Sequence, residues 1–139
     1  MIGPSGDGVI WYSADWGRQV TESRSQQEQL RDRTKQFALR IIRLVRSLPK
    51  SSEAQVLGKQ LLRSGTSVGA NYRAAGRARS KAEFISKIGI VVEEADETVF
   101  WLELLIESGI VKEGLLSELL TEANELVAIF AASQRTARG

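Results

Sequence analysis

The chain has 139 residues, 42% of them hydrophobic and 26% charged, with two prolines, no cysteine and no histidine. That is the size and composition of one globular domain with a real core; it excludes disulfide frameworks, thiol chemistry and every catalytic scheme that needs an imidazole. The net charge of +2 conceals an asymmetry, because residues 1–87 carry 16 Lys/Arg against seven Asp/Glu (+9) while residues 88–139 carry three against ten (−7).

Residues 1–24 show no sustained periodicity and are rich in glycine, with Trp11, Tyr12 and Trp16 among them. The expectation is a leader that is flexible or docked on a partner. It lacks a basic region followed by an apolar core, so it does not read as a signal peptide. No run approaches the roughly 18 apolar residues of a membrane span. A cytoplasmic protein with no membrane partner is expected.

Four amphipathic segments follow, and residues 25–135 are expected to form the folded domain. The first runs from about Gln26 to Leu48, with Leu30, Phe37, Ile41, Leu44 and Leu48 at helical spacing, and Pro49 ends it. Its outward face is basic, with Arg31, Arg33, Lys35, Arg40, Arg43 and Arg46.

The second segment begins near Ser52, a candidate N-cap with Gln55 three residues on. Its stripe is Leu57, Leu61, Ser64, Val68, Asn71 and Ala75. Small residues there (Ser64, Gly65, Ser67, Gly69, Ala70) would let two backbones approach closely. Glycine inside a helix costs roughly 1 kcal/mol against alanine, so Gly65 and Gly69 are expected to serve packing. Gly76 stands where a C-cap belongs.

The third segment starts at Ser80-Lys81-Ala82-Glu83, which has capping-box spacing. Phe84, Ile88, Val91, Ala95, Thr98, Leu102 and Leu105 form a seam, and Ile85, Val92, Val99 and Ile106 run parallel to it. An apolar face this wide implies burial on more than one side. Gly109 closes the segment. The fourth runs from about Lys112 to Gln134 on Leu116, Leu119, Ala123, Leu126 and Phe130, with residues 136–139 expected to fray. Short connections between long helices predict an all-α, antiparallel up-down-up-down four-helix bundle.

Little in this pattern carries catalysis. No phosphate-cradling glycine motif occurs. Glu93, Glu94 and Glu97 form the one acidic cluster beside an apolar face, and an all-carboxylate Mg²⁺ or Mn²⁺ site there is the only enzymatic alternative. Pairing with Arg63 or Arg73 is the simpler expectation, fixing register rather than doing chemistry. Asn71 is expected to bond from helix to helix. The strongest functional signal is basic: residues 30–81 hold 13 Lys/Arg against Asp32 and Glu53. Arg40, Arg43, Arg73, Arg77, Arg79 and Lys81 are the candidate nucleic-acid contacts, since arginine forks suit phosphate oxygens. Aromatic residues are sparse in the run, with Tyr72 and, on the apolar stripe of the first segment, Phe37, so backbone contact without base readout is expected.

The run Arg63-Ser64-Gly65-Thr66-Ser67-Val68-Gly69-Ala70-Asn71, then Arg79-Ser80-Lys81-Ala82-Glu83-Phe84, resembles a bacterial four-helix-bundle family often labelled 23S rRNA intervening-sequence proteins. Glu93-Glu94-Ala95-Asp96-Glu97 and Phe100-Trp101-Leu102-Glu103-Leu104-Leu105 fit a branch of it, and the resemblance spans about residues 28–134. It implies an antiparallel bundle assembled as a cyclic homopentamer with a narrow central pore. It also implies kinship with the accessory variability protein of diversity-generating retroelements, which partners a reverse transcriptase and contacts nucleic acid through a basic surface. The commoner family pattern has a Glu-Gly pair after the asparagine; here Ala74, Ala75 and Gly76 stand instead.

The combined expectation is a non-enzymatic, oligomeric interaction module for RNA, DNA or a protein such as a reverse transcriptase, without a cofactor. Arg63, Ser64, Ser67, Gly69, Asn71, Glu94, Glu97 and Trp101 are the candidate helix-packing or subunit-interface residues. The alternative is a purely structural oligomer whose basic and acidic halves pair between subunits.

Overall fold

The computed structural model describes residues 21–139, with side chains from Ser25 onward. Four helices account for nearly all of them: α1 (Thr21–Arg46), α2 (Ser52–Ala75), α3 (Lys81–Glu107) and α4 (Glu113–Arg138). Among the described residues there is no strand. The expected leader lies outside the described residues up to position 20, and α1 already begins at Thr21. The other terminus departs from expectation. Residues 136–138 are helical, because Ala137 is fully buried and anchors the last turn.

The helix ends follow local chemistry. Ser51, not Ser52, caps α2, its hydroxyl accepting from the Ala54 amide. Ser80 caps α3 by accepting from the Glu83 amide at 3.0 Å. Glu83 returns the bond one residue early, its carboxylate accepting from the Arg79 amide at 2.6 Å. Two donors that would otherwise be unsatisfied are thereby paired. Gly109 follows the Ser108 cap of α3 at φ 80°, a conformation other residues adopt at a cost. Its amide donates to Ile106, and the Val111 amide donates to Leu105, so the last carbonyls of α3 are satisfied.

The core is a single apolar cluster fed by all four helices. Phe37, Ile41, Leu61, Phe84, Ile88, Leu102, Leu116, Leu126 and Phe130 are essentially inaccessible. Each such side chain contributes roughly 1.5–3 kcal/mol by leaving water. Helix α2 packs closely on α1 and α3, and α3 on α4, whereas α1 meets α4 at only a few points. The α1–α2 contact runs in opposite chain order: Leu48 lies by Gly58, Ile41 by Gly65 and Thr34 by Gly69. A Cβ on Gly65 would come within 2.8 Å of Ile41, so the small-residue stripe sets this close approach.

The wide apolar face expected of α3 is only partly buried. Phe84, Ile88, Val91, Ala95, Thr98, Val99, Leu102 and Leu105 are in the core. Ile85, Val92 and Ile106 are half-buried against it. Ile90 and Phe100 remain exposed.

Candidate functional site

Two polar clasps tie the bundle internally. On α1, Arg33 grips Glu122 of α4 in a two-pronged pair, with both N–O distances at 2.7 Å, and reaches Glu125 at 2.6 Å. The hydrogen bond that Arg33 donates to Glu122 holds the guanidinium charged more firmly than usual, against the opposing pull of partial burial. On α2, Arg63 pairs with Glu94 at 3.3 Å and with Glu97 on α3. The Trp101 indole donates to the same Glu97 at 2.9 Å. Beneath this pair the buried hydroxyls of Thr98 and Ser64 lie 2.9 Å apart, and Thr98 also donates to the Glu94 carbonyl at 2.7 Å.

Arg63, Ser64, Glu94, Glu97 and Trp101 therefore come together as the α2–α3 contact inside one chain. Gly69 serves the α1–α2 contact instead. Asn71 corrects the expectation of a helix-to-helix bond: its amide donates at 2.9 Å to the carbonyl of Ser67, one turn back in the same helix. Glu93 points outward while Glu94 and Glu97 are engaged by Arg63, so the three carboxylates do not converge. Among the described residues no group of three or more His, Cys, Asp or Glu is placed to hold a metal ion.

The remaining cations gather elsewhere. A groove of about 770 Å³ runs between α1 and α2, and its lining includes Arg31 and Lys35 from α1, Arg73 from the last turn of α2 and Arg77 from the turn that follows it. Its floor is small, with Thr34, Ala38, Thr66, Gly69, Ala70 and Ala74. The register explains the meeting. Thr34 sits against Gly69; one turn outward on each helix brings Arg31 beside Arg73, and the turn that follows α2 carries Arg77 to the same groove. Glu28 and Asp32 also line the groove. None of the four cations is in an ion pair among the described residues, in contrast to Arg33 and Arg63.

Of the predicted contact residues, the groove thus collects Arg73 and Arg77. Arg40 lies seven residues from Arg33, on the side of α1 that turns toward α4. Arg43 is exposed on α1 outside the groove. Arg79 is exposed in the α2–α3 connection, and Lys81 is exposed as the first residue of α3. Arg31 and Lys35 complete the cluster, and sequence analysis placed them only on a generic basic face. The signal that could have found them is their four-residue spacing opposite the small-residue stripe. Tyr72 is not available for base stacking. It is buried against Phe130, ring centroids 5.1 Å apart.

The comparisons with known proteins agree with this architecture. The model of a family described as 23S rRNA-intervening sequence protein matches residues 26–132. The structure is similar to the 1.70 Å crystal structure of a protein of unknown function from the S23 ribosomal protein family of Bacteroides thetaiotaomicron. The two share 36% identity at a TM-score of 0.73, over 78% of this chain and 97% of the other. A search of curated proteins found no match.

Proposed function

Because the chain belongs to the 23S rRNA-intervening sequence protein family, and the similar crystallised protein above is of unknown function, we propose a function from the groove itself. The protein is a non-enzymatic, oligomeric four-helix bundle that holds the phosphate backbone of RNA or DNA between α1 and α2. The observation that carries this is the convergence of Arg31, Lys35, Arg73 and Arg77 on one small-residue groove, none of them in an ion pair among the described residues although Glu28 and Asp32 also line it. Unpaired cations at close quarters repel one another, and a polyanion that releases its counterions on binding relieves that repulsion. The groove lining includes no aromatic side chain, so contact is with phosphate and sugar and carries little sequence readout.

We include in this proposal an up-down-up-down bundle, supported by its short connections, a cyclic pentameric assembly, supported by the family resemblance, and action in the cytoplasm. In that setting it serves as an accessory that holds nucleic acid for a larger machine such as a reverse transcriptase. Fluorescence anisotropy with a short generic single-stranded RNA across a salt series tests the groove. Four phosphate contacts give a log–log salt slope of about −3, at roughly 0.7 per phosphate. The Arg73→Ala/Arg77→Ala pair is expected to weaken binding at least about tenfold and to halve that slope, whereas Arg135→Ala on α4 leaves both unchanged. Unaltered binding by the groove pair, or no binding by the parent chain, overturns the proposal.

A further inference from the structure

Among the large apolar side chains left exposed, Leu39, Val56, Leu62 and Leu115 stand on α1, α2 and α4, and Ile90 and Phe100 on α3. Phe100, at 50% exposure, differs in its surroundings. At 3.6 residues per turn, Glu93, Asp96, Glu103 and Glu107 project within about 60° of it, and all four are exposed. None of them is in an ion pair among the described residues. Residues 90–107 contain no Lys or Arg, and neither do residues 113–134 of the adjoining α4. On the α2 flank, Arg63 is spent on Glu94 and Glu97, and Lys59 makes no ion pair with α3. The ring is also fixed in place. It meets Trp101 edge-on at 5.0 Å, the Trp101 indole donates to Glu97, and Glu97 is gripped by Arg63. A half-open aromatic ring thus sits among four carboxylates that no described residue pairs.

We propose that the outward face of α3 around Phe100 docks an arginine-bearing helical segment of a different protein, with one guanidinium lying over the Phe100 ring between Asp96 and Glu103. This face shares no residue with the basic groove, so the proposal goes beyond the nucleic-acid reading. The chemistry of the surface selects its occupant. The face of an aromatic ring is electron-rich and attracts cations. A planar guanidinium stacks flat on it, where a lysine ammonium offers only a point charge. Asp96 and Glu103 stand one turn before and one turn after Phe100, so their carboxylates accept from the N–H edge of a guanidinium resting on the ring. Glu93 and Glu107 lie a further turn out on either side and suit additional cations at one-turn spacing, which a helix presents. A polyanion is repelled from this face. An uncharged apolar segment would strip water from the carboxylates without giving them partners, which is costly. A ring already held by Trp101 loses little freedom when it is covered.

Fluorescence anisotropy with two labelled probes tests this: an alanine-based helical peptide with one arginine per turn, and the same peptide with lysine in place of every arginine. The parent chain is expected to bind the arginine peptide at least about threefold more tightly than the lysine peptide, the size of one exposed cation–π contact. Phe100→Leu keeps an apolar side chain but removes the aromatic face, and is expected to abolish that preference. Phe100→Tyr is expected to retain it. Asp96→Asn/Glu103→Gln is expected to weaken both peptides and to flatten their salt dependence. All three positions are exposed, and circular dichroism melts verify that each variant folds. Equal affinity of the parent for the two peptides, no binding of either at about 100 μM, a preference that survives Phe100→Leu, or undiminished binding by the carboxamide variant each overturns the proposal. So does a fall in the light-scattering mass of the Phe100→Leu chain alone, which assigns the face to a second copy instead.

Discussion

The Tyr72 hydroxyl is buried in the core without a hydrogen-bond partner among the described residues. Burial pushes its ionisation well above the usual tyrosine range, and the charge of Arg31 counters this only in part. A buried donor left unpaired costs about 1–3 kcal/mol, so Tyr72→Phe is expected to stabilise the fold by up to about 1 kcal/mol in urea melts. The pH dependence has a definite sign. The folded-state pKa lies above the unfolded value of about 10. The contribution is whole below pH 10 and is lost as pH rises beyond it, because the unfolded chain releases its proton first. The phenylalanine variant lacks that alkaline decline, which melts at pH 8 and pH 10.5 measure. Legibility at this scale follows range. Ser80 and Glu83 were readable as a cap because their partners are three and four residues away. Tyr72 and Thr34 were not readable as core. Their burial depends on Phe130 and Gly69, which neighbouring sequence does not reveal.

Between elements, the glycines divide by what surrounds them. At Gly65 a methyl group would strike three side-chain atoms of Ile41 between 2.8 and 3.3 Å. At Gly114, in the first turn of α4, nothing lies within 4 Å. Gly65→Ala is therefore expected to cost about 1–3 kcal/mol by overpacking, although alanine is the better helix former. Gly114→Ala is expected to gain up to about 1 kcal/mol from propensity alone. Thermal unfolding of the pair tests this opposition of sign. The small-residue stripe was legible as a close approach, and the four helices were legible as helices. The register between α1 and α2 was not, because a stripe of interchangeable small residues does not specify which turn of α2 meets Thr34. Without that register Arg31 and Lys35 could not be matched to Arg73 and Arg77, and half of the groove stayed hidden in a general basic face.

At the scale of the molecule, the charge division seen in the sequence survives as geography: cations without partners on the α1–α2 side and acids along the outside of α3. Cohesion is divided as well. Helices α2, α3 and α4 pack broadly in succession, while α1 leans on α2 and touches α4 lightly, chiefly where Arg33 meets Glu122 and Glu125. Such a helix is the natural unit of partial opening. Amides of α1 are expected to exchange with solvent sooner than those of α3. Glu122→Gln, which weakens a pair whose arginine is 35% exposed, is expected to hasten α1 exchange more than it lowers global stability. The light α1–α4 seam has a thermodynamic consequence. Arg31 and Lys35 ride on α1 while Arg73 rides on α2 and Arg77 on the turn that follows it, so whatever the groove holds also holds α1 shut. By reciprocity, every increment of free energy gained by closing α1 is returned as affinity, and occupancy of the groove would be written in the protection of α1 amides far from any contact.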